Sequence, residues 1–429
     1  MEKAASPAVT TRLSVMMFLQ FFVWGAWFVT IGVYLRQGMN FAEGIGTAYS
    51  VGPIAAIIAP VFLGLIADRF FPTQVVLGVL HLIGGVLMFL VPWSIQQELA
   101  GSKGLFFWVL LGYMLCYMPT LGLTNTLAMR NIHDSEKQFP VIRVFGTIGW
   151  IAAGFLVGTL LKADATALPL QVAAGASIAL GLYSFFLPHT PPVGKGQPLS
   201  ITQMLGLESA GMLKDFNFLI FAVASMLICI PLQAYYAYAA TFITDAGFGS
   251  AAGTMFWGQV SEIFFMLIIP LLFSRLGVKW MLAIGMACWV LRYGLFAMGA
   301  PEGVKWMIFS GILVHGICYD FFFVTGQIYT DKKAPNAIRG QAQGFLVLLT
   351  QGVGMYGGAK INDVLFTSRV GELSKTGVKV LNLWPSFWWI PACMAGGILV
   401  LFFLLFRDRL KPSVDEVIEE AASTPETIQ

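Results

Sequence analysis

The sequence predicts an all-α integral membrane protein with twelve transmembrane helices in two six-helix halves. Three observations carry this. The composition is 57% hydrophobic and 11% charged, with a mean hydropathy of +0.77, whereas a soluble domain has about 25% charged residues. Apolar runs long enough to cross a bilayer, roughly 20 residues each, recur along the chain. The longest interruption, HTPPVGKGQPLSITQMLGLESAGMLKDF, is rich in Pro, Gly and polar residues and follows the sixth run. The expected organisation is a first half over 1–187, a cytoplasmic linker over 188–215, a second half over 216–407 and a cytoplasmic tail over 408–429.

The N-terminal segment MEKAASPAVTTR is polar and the apolar run behind it is long enough to span, so it reads as an uncleaved first helix over 13–35. The next five spans are expected at 44–67, 73–94, 105–128, 141–161 and 168–187. The second half is expected to hold spans at 216–243, 252–274, 279–299, 304–329, 338–363 and 384–406. The tail VDEVIEEAASTPETIQ is acidic and polar.

Orientation follows from the Lys and Arg of the short loops. With the N-terminus inside, fifteen basic residues fall on the cytoplasmic side and eight outside, which predicts both termini in the cytoplasm. Loop 364–383 opposes this, with Arg369, Lys375 and Lys379 outside. The formal net charge of +3 is small and the basic residues lie at loop ends, so nucleic-acid binding is not indicated. The five cysteines (Cys116, Cys229, Cys288, Cys318 and Cys393) lie in apolar runs without metal-ligand spacing and read as buried hydrophobes. No P-loop, HExxH or Gly-x-Ser-x-Gly motif occurs, and no nucleophile–base set is legible, so neither an enzyme nor ATP-driven transport is expected. No cofactor is expected beyond a proton gradient.

Four charges stand inside the apolar runs: Arg143, Glu262, Arg292 and Asp320. A charge at the bilayer centre costs about 2.5–3.5 kcal/mol on insertion scales, and such residues mark polar pathways. Two cations and two anions permit mutual neutralisation. Span one carries Gln20, Trp24 and Trp27 on one helix face, an amide beside two indoles. Span five opens VIRVFGTIGW, placing Arg143, Thr147 and Trp150 at i, i+4 and i+7. Span seven holds IPLQAYYAYAATF, where Pro231 favours a bend and Gln233 and Tyr236 follow on one face. In span eight Gln259 and Glu262 lie one turn apart, and burial favours proton uptake by such a carboxylate. Span ten, GICYDFFFVTGQIY, puts Asp320 and Gln327 on one face, with Tyr319 among aromatics that can stack on a planar ring. Each has a plainer reading as helix packing, an interfacial anchor or a static ion pair with Arg143 or Arg292. His315, one turn before Asp320, reads as a packing residue.

Span two ends PVFLGLIADRFFP. Its Gly64, Asp68 and Arg69 resemble the loop signature of the major facilitator superfamily, and Pro60 and Pro270, 210 residues apart, hint at repeated halves. Repeated halves with a midplane substrate site are a common transporter architecture. The motifs YMPTLGLTN (117–125), IRVFGTIGW (142–150), the Gln259/Glu262 pair and HGICYDFFFVTGQIYTDKKAP (315–335) resemble the nucleoside:proton symporter family, a branch of that superfamily. The resemblance covers nearly the whole chain and is nearest to the less characterised bacterial nucleoside transporters. It implies proton-driven nucleoside import across the bacterial inner membrane by alternating access. It also implies that Arg143, Thr147, Gln233, Gln259, Glu262 and Asp320 line the substrate site. The chain departs from that family's nucleoside permeases at Tyr236, where an Asn is expected, and at Tyr319 and Trp150, where a Phe is expected. Two alternatives stay open: a carrier of the same fold for a sugar or other polar metabolite, and a membrane sensor that binds without transporting.

Overall fold

A computed structural model describes residues 7–62, 70–132, 135–192, 202, 205–335, 338–371 and 379–408. The Gly64–Asp68–Arg69 element, much of the expected linker and nearly all of the tail lie outside the described residues. Among the described residues every regular element is helical. The helices are α1 (Pro7–Gly38), α2 (Gly44–Phe62), α3 (Thr73–Leu99), α4 (Leu105–Arg130), α5 (Ser135–Gly154), α6 (Leu168–Ser184) and α7 (Phe216–Asp245). They continue with α8 (Ala251–Gly299), α9 (Lys305–Lys333), α10 (339–371) and α11 (Trp384–Leu405).

Among the described residues ten helical segments are long and apolar enough to cross a membrane, counting α8 as two. Helix α6 is apolar but shorter. Helix α10, which carries Arg339, Gln341, Gln343, Lys360 and Asp363, is not among the ten. The expected spans eight and nine are two helical segments of α8 that meet at a single non-helical residue. Gly277 there has φ 74° and ψ 170°, a backbone region essentially closed to residues with a Cβ. That glycine lies within the junction expected at 275–278.

By their contacts the described residues divide into two units. One comprises the chain to Phe41 and Val51–Leu205; the other comprises Ala42–Ser50 and the chain from Gly206. In the first unit α1 packs on α5 and α6, and α3 on α4 and α6. Lipid offers no hydrophobic drive between apolar helices, so close backbone approach through small residues must hold them together. Gly149 of α5 shows the degree of approach: a Cβ there would lie 2.1 Å from the carbonyl oxygen of Phe18 on α1. In the second unit α8 packs on α9 and α11, and α7 on α10 and α11.

Helix α7 carries Pro231 in its interior, and side chains of neighbouring helices reach the carbonyls of Ile230 and Pro231. Tyr293 donates to the Pro231 carbonyl at 2.6 Å and Asn362 Nδ2 to that of Ile230 at 2.8 Å. Helix α9 carries a π-helical turn over Asp320–Val324, an irregularity frequent at functional sites.

Candidate functional site

The first unit holds one cluster of polar and aromatic side chains. Gly146 and Gly149 bring α5 so close to α1 that Arg143 stacks on Phe21, its guanidinium carbon 4.0 Å from the ring centre. Arg143 and Thr147 are both buried. One turn on, Trp150 packs edge to face on Trp24, with centroids 5.7 Å apart, and Trp24 meets Tyr117 in the same manner at 5.6 Å. The buried Trp24 Nε1 makes no hydrogen bond among the described residues, which leaves one indole donor unspent.

Gln20 and Trp27, expected on the same face as Trp24, are already engaged inside the unit. Gln20 Nε2 donates to Thr120 Oγ1 at 2.7 Å, and its Oε1 lies 2.8 Å from His81 Nε2. His81 Nδ1 lies 3.0 Å from Ser177 Oγ. Ser177 also donates to the His81 carbonyl at 2.9 Å, Gln20 donates to Thr120, and Thr120 donates to the Tyr117 carbonyl at 2.5 Å. This chain ties α6, α3, α1 and α4 together. Trp27 Nε1 donates to the Tyr113 hydroxyl at 3.2 Å. Both side chains therefore brace the bundle, and their polar atoms are committed to it.

The second unit gathers the other candidates around His315, which the sequence reading set aside. Arg292 is 0% exposed, and its Nη2 lies 2.9 Å from His315 Nδ1. A guanidinium only donates, so Nδ1 accepts and the imidazole proton sits on Nε2. That nitrogen lies 3.7 Å from Glu262 Oε2 and 3.5 Å from Gln259 Nε2, both longer than a good hydrogen bond. The imidazole stacks on Tyr235 at 5.3 Å, and Arg292 lies over the same ring at 4.3 Å. Gly316 lets α9 press against α8: a Cβ there would fall 2.6 Å from the Glu262 nitrogen. The close crossing, secured by Gly316 N–H donating to Ser261 Oγ at 3.0 Å, sets His315 beside Glu262.

Arg292 thus reaches Glu262 through an imidazole, where the sequence suggested a direct charge partner. The Gln259 amide lies beside the imidazole, 3.5 Å from Nε2. Asp320 is 0% exposed at the start of the π-helical turn, and Tyr319 and Gln327 are also buried. Gln233 is buried and donates to the Tyr49 carbonyl at 3.2 Å, whereas Tyr236 is half-buried. The structure therefore brings Gln259, Glu262, Arg292 and Tyr319 together around His315. It gives Gln233 a partner at the start of α2. No cluster of three or more His, Cys, Asp or Glu suited to a metal occurs among the described residues.

The family model described as "Nucleoside H+ symporter" matches residues 8–411. The provisionally assigned nucleoside transporter YegT of Escherichia coli K12 is 42% identical over 407 residues, covering 93% of this chain and 94% of its own. The xanthosine permease of the same organism is 31% identical over 417 residues, covering 93% and 96%. Among solved structures, the crystal structure of the nucleoside transporter NupG matches with a TM-score of 0.81 at 30% identity, covering 94% of this chain and all of that one.

Proposed function

The chain belongs to the nucleoside H+ symporter family, and we propose that it imports nucleosides together with protons by alternating access. In this reading it is an inner-membrane carrier of twelve crossings, both termini cytoplasmic, with 188–215 linking its halves. The observation that carries it is the buried Arg292–His315–Glu262 constellation. Opposite charges held 0% and 2% exposed in apolar helices are expensive to insert and are kept where they bind or move something.

Glu262 or Asp320 carries the proton. Arg292 biases Glu262 through His315, and Arg143 supplies a second cation. In the first unit Trp24 Nε1 and Thr147, and in the second Gln259, Gln233, Tyr236 and Gln327, offer hydrogen bonds to a base edge or ribose. Trp150 or Tyr319 stacks on the ring. Gln20 and Trp27 belong to the bundle in this reading. Tyr236, Tyr319 and Trp150 depart from the residues the resemblance leads one to expect, so they are the positions that tune which nucleosides are accepted.

The test is uptake of labelled uridine and adenosine into proteoliposomes with and without an inward proton gradient. Gradient-stimulated accumulation that vanishes on collapsing the gradient is expected. Saturable binding without counterflow would make the chain a sensor. Uptake of a sugar in place of nucleosides would move it to the rival substrate class.

A further inference from the structure

We propose that the junction of α8 and α11 is a binding site for one anionic phospholipid. Two adjoining hollows lie there. The first, about 570 Å³, surrounds the break at Gly277 and is lined by Arg275, Leu276, Val278, Lys279, Trp280 and Phe403. The second, about 390 Å³, continues from Trp280 and Phe403 between the two helices, over Ala283, Ala287 and Val400. The first is cationic and the second almost wholly apolar, so the pair has the polarity of a headgroup and an acyl chain laid end to end.

The sequence accounts for each part. Trp280, Ala283, Ile284 and Ala287 recur at helical spacing and form one face of α8 beyond the break. The two alanines are small, so the face is furrowed there. Val400 and Leu404 of α11 stand 56% and 65% exposed along the other wall. In a membrane-spanning helix such a surface meets hydrocarbon, which makes lipid the occupant. The mouth selects among lipids by charge. Arg275 is exposed and has no ion pair among the described residues, and Lys279 is half-buried with its ammonium 4.6 Å from the centre of the Phe403 ring. Trp280 crosses that ring edge to face at 5.2 Å, which holds the three side chains in one place. A tryptophan beside two cations at the end of an apolar furrow has the character of a headgroup-level anchor. A phosphodiester carrying one net negative charge complements this mouth; a zwitterionic headgroup does so poorly.

Each basic residue near an anionic lipid surface contributes about 1 kcal/mol, roughly fivefold in binding. The Arg275→Gln/Lys279→Gln double variant should therefore weaken binding of phosphatidylglycerol to the delipidated full-length protein by roughly thirtyfold. Native mass spectrometry in mild detergent would count one phosphatidylglycerol fewer than in the parent at the same ratio. Phosphatidylcholine should bind both equally and weakly. Filling the furrow with Ala283→Phe/Ala287→Phe should remove the same lipid while Arg275 and Lys279 remain. Monodisperse elution of each variant and retained nucleoside uptake separate lipid loss from misfolding. Three results would overturn the assignment. Unchanged lipid counts in the charge variant would exclude the mouth. Sensitivity to the charge variant but not to the furrow variant, with displacement by inorganic phosphate, would make it a free-anion site. Lipid binding that arises only after removal of residues 409–429 would make the acidic tail the occupant.

Discussion

Replacing His315 with Leu removes the imidazole that stands between Arg292 and Glu262. In the parent, His315 Nδ1 accepts from Arg292 Nη2 at 2.9 Å, while Arg292 Nε and Nη1 make no hydrogen bond among the described residues. The variant leaves a fully buried guanidinium without that acceptor. A hydrogen bond to a charged group contributes about 1.5–3 kcal/mol, and breaking one partner of a buried charged pair costs about 3–5 kcal/mol. The Tyr235 ring stays beneath Arg292 at 4.3 Å and recovers part of this. The expected loss is about 3 kcal/mol, near the bottom of the second range. Removing the cation as well should return much of it. The double variant His315→Leu/Arg292→Met should be the more stable of the two, and the double-mutant cycle should give a coupling of at least about 1.5 kcal/mol. Unfolding titrations in mixed detergent micelles measure these energies, and gradient-driven uptake by the same variants measures the functional side. His315→Leu should lower accumulation more than exchange. Energies additive within about 0.5 kcal/mol, together with unaltered accumulation, would refute the relay.

Further outcomes follow from the same geometry. Glu262→Gln or Asp320→Asn, whichever removes the coupling acid, should abolish uphill accumulation while sparing exchange down a gradient; accumulation intact in both would sink the proton assignment. Gly149→Ala should destabilise the first unit by about 1–3 kcal/mol or more, because its Cβ would meet the backbone oxygen of Phe18 at 2.1 Å, where no side chain can yield. Gly175→Ala, which meets nothing within 4 Å inside α6, should be neutral or gain up to about 1 kcal/mol, and equal losses at the two glycines would show that packing is not the cause. Gln20→Leu should cost about 1–3 kcal/mol by stranding His81 and Thr120, with little change in the KM for nucleoside; a raised KM at unchanged stability would return Gln20 to the substrate site.

Much of this protein was legible in one dimension. Membrane helices must satisfy their own backbone and face hydrocarbon, so length and hydropathy alone located helices close to those observed. The junction expected between spans eight and nine, 275–278, holds Gly277, where the helix breaks. The rarity of charge in apolar runs marked Arg143, Glu262, Arg292 and Asp320 before any contact was known. Helical spacing put Arg143, Thr147 and Trp150 on one face, and the structure keeps Trp150 against Trp24.

What spacing cannot report is which face meets which neighbour. Gln20 and Trp24 share a face of α1, yet the amide is spent on Thr120 and His81 while the indole nitrogen of Trp24 has no such bond. That difference is made by α3 and α4, about 60 and 100 residues away. His315 was set aside because one histidine in an apolar run is usually packing. Its role rests on Arg292 from α8 and on Glu262 from beyond the Gly277 break, brought within reach by the small residue Gly316. The sequence by itself determined that this is a many-helix membrane protein with buried charge. Only the tertiary structure decided which polar atoms, such as those of Gln20, are satisfied within the bundle, because that depends on contacts between helices that no local pattern encodes.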